Sequence, residues 1–190
     1  MRGPICVFLA EGFEEIEALT VVDVLRRAQL PVQTVAVMGS ADNAGNAMVT
    51  GAHGITVLAD TFIDTIDPDA VDMLVLPGGM PGTTNLEACV PPCQMLTTFA
   101  EESRPLSAIC AAPMVLGHLG LLKGRYATIY PGMEDELVGA NPMQDAVVVD
   151  GNITTSRGPA TALPFALALV ERYRGTDAAT GIAQGMVKYW

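Results

Sequence analysis

Basic residues are scarce in this sequence. Lys and Arg together number 10 against 21 Asp and Glu, a net charge of −11 over 190 residues. A surface of that sign repels polyanions, which argues against nucleic acid or an anionic membrane as a partner unless the few cations cluster. Long apolar runs are missing too, and none approaches the ~20 residues a bilayer-spanning helix needs. The run Ile5–Ala10 briefly resembles a signal peptide. It is short, however, and Glu11, Glu14, Glu15 and Glu17 follow where a small-residue cleavage site should lie, so the sequence reads as cytoplasmic. There are only four cysteines, Cys6, Cys89, Cys93 and Cys110, too few in a core-rich chain for a disulfide framework. Cys89 and Cys93 are separated by Pro91 and Pro92 with no His or second Cys pair near, which favours ordinary thiols over a metal site. Charged residues make up just 16% and hydrophobic ones 50%, which excludes a disordered chain. The length fits one domain, 1–190.

Short β-branched apolar runs recur at Ile5–Leu9, Val32–Val37, Ile55–Leu58, Met73–Leu76, Leu106–Ile109, Ala127–Tyr130, Val147–Val149 and Ile153–Thr155. Helical stretches are expected at Glu14–Ala28, Asn85–Glu101, Ala111–Leu119, Thr161–Tyr173 and Asp177–Lys188. In the last of these Ile182, Met186, Val187 and Trp190 fall at near-helical spacing. Strands without strict alternation suit a sheet covered on both faces, and their alternation with helices predicts a doubly wound α/β domain. Asp150-Gly151-Asn152 reads as a hairpin turn, and residues 40–54 as a loop or weak hairpin. In such a fold chemistry belongs at the carboxyl ends of the strands.

Four strand-to-helix junctions carry reactive or permissive residues. Cys110 stands between the strand Leu106–Ile109 and a helix whose first turn holds Pro113. There a helix dipole and unpaired N–H groups would favour thiolate, and Ala108, Ala111 and Ala112 permit a sharp turn. Cys110 is equally readable as a small hydrophobe filling space. Glu17 centres an apolar stripe of Val21, Val24 and Ala28. It is either a desolvated carboxyl of raised pKa, able to donate a proton, or a solvated first-turn acid favoured by the dipole. Glu14 and Glu15 are expected to be solvated, with Glu15 on the opposite face beside Asp23 and Arg26. Gly78 and Gly79, following Met73–Leu76, let backbone amides approach a reacting oxygen or simply make a tight turn. Without a Gly-Lys-Ser/Thr sequence this is no phosphate loop. Arg157 precedes the last long helix, where it could pair with Glu17, bind an anion, or form an ordinary surface ion pair.

Taken together, Glu11-Gly12-Phe13-Glu14-Glu15-Ile16-Glu17, Val22-Asp23-Val24-Leu25-Arg26-Arg27-Ala28, Leu76-Pro77-Gly78-Gly79, Ala108-Ile109-Cys110-Ala111-Ala112-Pro113 and Thr155-Ser156-Arg157-Gly158-Pro159 resemble the ThiJ/PfpI superfamily. Within it the match is to the branch of the parkinsonism-associated protein deglycase and its bacterial relatives. The resemblance implies a flavodoxin-like three-layer sandwich, a mostly parallel central sheet flanked by helices, assembled as a homodimer. It implies Cys110 as nucleophile, Glu17 as the acid hydrogen-bonded to it, and the amides of Gly79 and Ala111 as an oxyanion hole. Family activities are conversion of methylglyoxal to lactate without glutathione and release of early glycation adducts from protein, so the expected partners are a small aldehyde or a glycated protein. No metal and no organic cofactor are required. The cysteine of this family also oxidises to a sulfinate, which supports a competing reading as a redox sensor or chaperone. Two departures matter. Ala111 stands where the protease-like branch has His, which argues against a Cys-His hydrolase. Tyr130 precedes Pro131 where some relatives place His, and with a pKa near ~10 a tyrosine is a poor base at neutrality. His53, which could approach a partner subunit's site, and His118 read as structural, so proton transfer falls to Glu17.

Overall fold

The computed structural model describes residues 3–38 and 47–188. Its frame is a sheet of seven strands: β1 (Ile5–Leu9), β2 (Val32–Ala36), β5 (Thr61–Phe62), β6 (Met73–Leu76), β7 (Leu106–Ile109), β10 (Val147–Asp150) and β11 (Ile153–Ser156). They lie in the order β10-β11-β7-β6-β1-β2-β5, all parallel except β10, which pairs antiparallel with β11 across the Gly151-Asn152 turn. The expected hairpin is therefore present.

Alternate residues of each central strand feed two separate cores, as the period of two requires. Ile5, Val7 and Leu9 of β1 and Met73 and Val75 of β6 pack beneath α1 (Glu15–Arg27), α5 (Ala162–Arg174) and α6 (Thr176–Gly185). Cys6, Phe8, Leu74 and Leu76 pack on the other face, against α2 (Gly82–Glu87), α3 (Val90–Glu101) and α4 (Pro113–His118). The result is the expected flavodoxin-like sandwich of helices, sheet and helices. Two short pairs lie outside the main sheet: antiparallel β3 (Met48–Thr50) with β4 (Thr56–Leu58), and parallel β8 (Tyr126–Ala127) with β9 (Asn141–Pro142).

Three expectations are corrected. The helix foreseen over 85–101 is two helices, because Cys89 is extended and Pro91 and Pro92 occupy the first turn of a new one. The strand foreseen at 127–130 shrinks to β8. Its backbone donors go elsewhere: Thr128 N–H to Thr155 Oγ1 at 2.9 Å and Tyr130 N–H to the Cys110 carbonyl at 2.9 Å. The last helix stops at Gly185, with Val187 at φ +58. Residues 40–46 of the foreseen 40–54 loop, and Trp190, lie outside the described residues.

Sheet order locates the site. From β1 the chain passes through α1 to β2 on one side, and from β6 through α2 and α3 to β7 on the other. The carboxyl ends of β1 and β6 thus flank the point where winding reverses, which is where an open α/β sheet forms a crevice. Among the described residues no helix is long and apolar enough to cross a membrane.

Candidate active site

Cys110 leaves β7 and bends at once. Its φ is +63°, rare for a side chain-bearing residue and held here by two hydrogen bonds. Its N–H donates to the Ser156 carbonyl of β11 (3.0 Å), and its own carbonyl accepts from Tyr130 N–H. The bend turns the thiol out of the strand and toward the crevice, half-buried, with the amides of Gly79 and Ala111 hydrogen-bonded to the sulfur.

Glu17, in the first turn of α1, is fully buried. Its Oε2 accepts from the Gly78 N–H at 2.8 Å. The Cys110 thiol also interacts with this carboxyl, but loosely: Oε1 has no well-formed hydrogen bond in its buried position. Burial pushes Glu17 up to about 7, with the charge of Glu14 adding to the rise and the Gly78 amide and the Cys110 contact opposing it. Of the two readings of Glu17 in the sequence, the desolvated acid is the one realised.

Cys110 corrects the sequence expectation. Burial first, then the negative charge and hydrogen bond of Glu17, push the thiol up to about 12, and the Ala111 and Gly79 amides offset only part of this. The helix expected to ionise it, α4, has six residues and starts at Pro113, so its dipole is weak and displaced from the sulfur. Burial thus pushes both groups toward their neutral forms, with the thiol raised further than the carboxyl.

The glycine turn is a steric requirement. A Cβ at position 78 would stand 2.6 Å from the Cys110 Cβ and 2.9 Å from Glu17 Oε2, between the two groups. Gly79, at φ +89°, would bring a Cβ within 2.4 Å of the Glu14 nitrogen.

The other candidates sort by position. Tyr130 is tied to Cys110 through the backbone, while its ring is half-exposed and packs over Gly158. Tyr130, Pro131, Arg157, Gly158 and Pro159 line a mostly apolar cavity of about 290 Å³, linked to the Cys110 turn through the Tyr130 backbone. A larger cavity, about 730 Å³, lies around Cys89, Val90 and Cys93, and neither cavity is lined by Cys110 or Glu17. Arg157 does not pair with Glu17; its Nη1 donates to the Gln144 carbonyl at 3.0 Å. Glu14 and Glu15 are not solvated as expected but nearly buried, because the 51–55 turn folds over the start of α1. Glu15 accepts from His53 N–H (2.8 Å), His53 Nδ1 (2.9 Å) and Ile55 N–H (3.3 Å), which holds its pKa below the ordinary carboxylate value despite burial. His118 is structural, bridging Glu87 (2.6 Å) and Glu136 (2.8 Å). The Ser156 carbonyl was not foreseen, and the Gly78 amide, expected near a reacting oxygen, instead donates to Glu17 Oε2. Backbone groups leave no compositional mark beyond the glycine itself.

Residues 4–172 match the DJ-1/PfpI family. The chain is 39% identical over 175 residues to DJ-1 homolog B of Arabidopsis thaliana, covering 91% of this chain and 38% of that protein, so it spans about two fifths of the plant relative. It is 39% identical over 116 residues to a deglycase of Pyrococcus abyssi, covering 59% of this chain and 68% of the archaeal one. Its fold superposes on oxidized DJ-1 of Toxoplasma gondii with a TM-score of 0.91 at 32% identity, covering 99% of this chain and all of the other.

Proposed function

The chain belongs to the DJ-1/PfpI family, and from that premise we propose that it is a cofactor-independent glyoxalase or deglycase acting on methylglyoxal or its protein adducts. The observation that carries this reading is a buried carboxyl, pushed up to about 7, placed against a cysteine at a strained turn. The deglycase name of the archaeal relative supports it.

In the proposed reaction the Glu17 carboxylate takes the Cys110 proton as sulfur bonds to the aldehyde carbon. Amides of Gly79 and Ala111 hold the oxygen, which is protonated to give a hemithioacetal. Glu17 then removes the proton on that carbon and returns one to the neighbouring carbonyl carbon, through an enediol. The product is a lactate thioester, and water cleaves it to lactate and free thiol. A group with a pKa near the working pH can give and take protons in turn, so no histidine is needed at Tyr130. Tyr130 and Arg157 would line the approach, with Gly78 keeping the pair in contact. The same reading places the protein in the cytoplasm as a homodimer.

Lactate formation from methylglyoxal tests the proposal. Cys110→Ser is expected to abolish turnover, and Glu17→Gln to lower kcat at least a hundredfold in a folded protein. Full activity in Cys110→Ser would overturn it.

One observation favours a second reading. The Glu17 carboxyl in contact with Cys110, its Oε1 making no well-formed hydrogen bond, is suited once protonated to donate to a sulfinate oxygen, and the Toxoplasma relative is described as oxidized. A dominant mass gain of two oxygens at Cys110 under mild peroxide, with negligible methylglyoxal consumption, would make this a sensor rather than an enzyme.

A further inference from the structure

Outside the Cys110–Glu17 pair, the described residues bring together one group of three potential metal ligands, Glu14, Glu15 and His53, with ligating atoms all within 4.8 Å of one another. Glu14 and Glu15 open α1, and His53 stands in the turn joining β3 to β4. Nothing in the sequence links them, since 38 positions separate Glu15 from His53.

Glu15 Oε2 lies 2.9 Å and Glu14 Oε2 3.6 Å from His53 Nδ1. A tetrahedral zinc site with bonds of ~2.0–2.1 Å sets its ligand atoms roughly 3.3–3.4 Å apart, a value these two separations straddle. Glu15 is already oriented: its Oε1 is held by the backbone amides of His53 and Ile55, which leaves Oε2 directed at the imidazole. Carboxylates and imidazoles in metal sites are commonly fixed in this way by outer hydrogen bonds. Glu14 is the least satisfied of the three. Its side chain is nine-tenths buried, makes no side-chain hydrogen bond among the described residues and pairs only loosely with His53 Nδ1, at 3.6 Å, while its charge also reaches Glu17. Two carboxylates and a neutral imidazole balance the charge of a divalent ion and leave the solvent side, where His53 is two-thirds exposed, for water. Three ligands including a nitrogen are too few and too soft for calcium, which takes six to eight oxygens.

We infer that Glu14, Glu15 and His53 form a binding site for a divalent cation of the zinc type, which on binding pins the β3–β4 turn to the start of α1. The site shares no ligand with the Cys110–Glu17 pair, although the charge of Glu14 also reaches Glu17, and its test does not depend on turnover.

The full chain, stripped with a chelator, is titrated with Co2+ as spectroscopic probe and with Zn2+. Expected are one Co2+ per chain with a visible d–d band lacking intense sulfur-to-cobalt charge transfer, and a rise in Tm on adding Zn2+. His53→Gln and Glu14→Gln should each weaken binding at least tenfold, and Zn2+ should not raise the Tm of His53→Gln. His53 is exposed, so its replacement leaves the fold in place. Wild-type-like affinity in both variants, bands that disappear when the thiols are alkylated, or no binding at millimolar metal would each overturn the site.

Discussion

Glu17 and Cys110 belong to different βα units, and each is unfavourable on its own. Glu17 is a carboxyl with one oxygen unpartnered in the core, and Cys110 is a residue bent to φ +63°. Such costs persist only when the surroundings over-determine them, and they concentrate at functional sites. The cost of Glu17 has a definite pH dependence. Its folded pKa, about 7, lies above the ordinary 4.5, so folding favours the neutral acid. The associated stability is complete below pH 4.5 and is lost as pH rises through 7. Glu17→Gln should therefore stabilise the protein relative to wild type more at pH 8 than at pH 5, by up to about 3 kcal/mol. Thermal denaturation of both proteins at the two pH values checks this, and a pH-independent difference would mean that Glu17 stays ionised in the fold.

At the scale of elements, the site is a meeting of three turns, after β1, β6 and β7. The turn after β6 is the separator whose absence of side chain lets the other two meet. Gly78→Ala inserts a methyl between Cys110 and Glu17. The expected result is a stability loss of roughly 1–3 kcal/mol, as for other overpacked sites, together with loss of most methylglyoxal turnover. Measuring Tm and kcat/KM on the same preparation separates the two effects. Wild-type turnover in this variant would show that the thiol and carboxyl work without contact. Element boundaries were legible where local chemistry set them: β1, β6 and β7 begin and end as their apolar runs do, and Pro91 and Pro92 mark the start of α3 once the preceding turn is seen. Segment 127–130 was not legible, because its apolar residues are buried while its backbone donors serve Thr155 and Cys110.

Over the whole molecule, charge couples layers that sequence leaves far apart. His118, at the end of α4, bridges Glu87 of α2 and Glu136 of the 134–136 turn. The Glu87 hydrogen bond first, then that of Glu136, raises its pKa above the ordinary 6.5. The stability this bridge contributes is complete below 6.5 and disappears as pH rises through the raised value. Glu17 acts in the same direction, so wild-type Tm is expected to fall between pH 5 and pH 8. His118→Gln should flatten the upper part of that fall and leave the Glu17 part, the two sites being independent. A Tm that climbs over this range would contradict both assignments.

The sequence by itself determined the layered α/β architecture, because uninterrupted apolar strands and amphipathic helices leave few other ways to bury their surfaces. It also singled out the residues that the fold brings together, a cysteine and a glutamate placed at strand-to-helix junctions. Tertiary structure alone decided their protonation. Ionisation depends on how completely neighbouring elements exclude water, and that exclusion pushes the Cys110 thiol toward its neutral form where a helix start suggested thiolate. It likewise decided that Glu14 and Glu15, acids of an apparently solvent-facing helix start, lie under a distant turn beside His53.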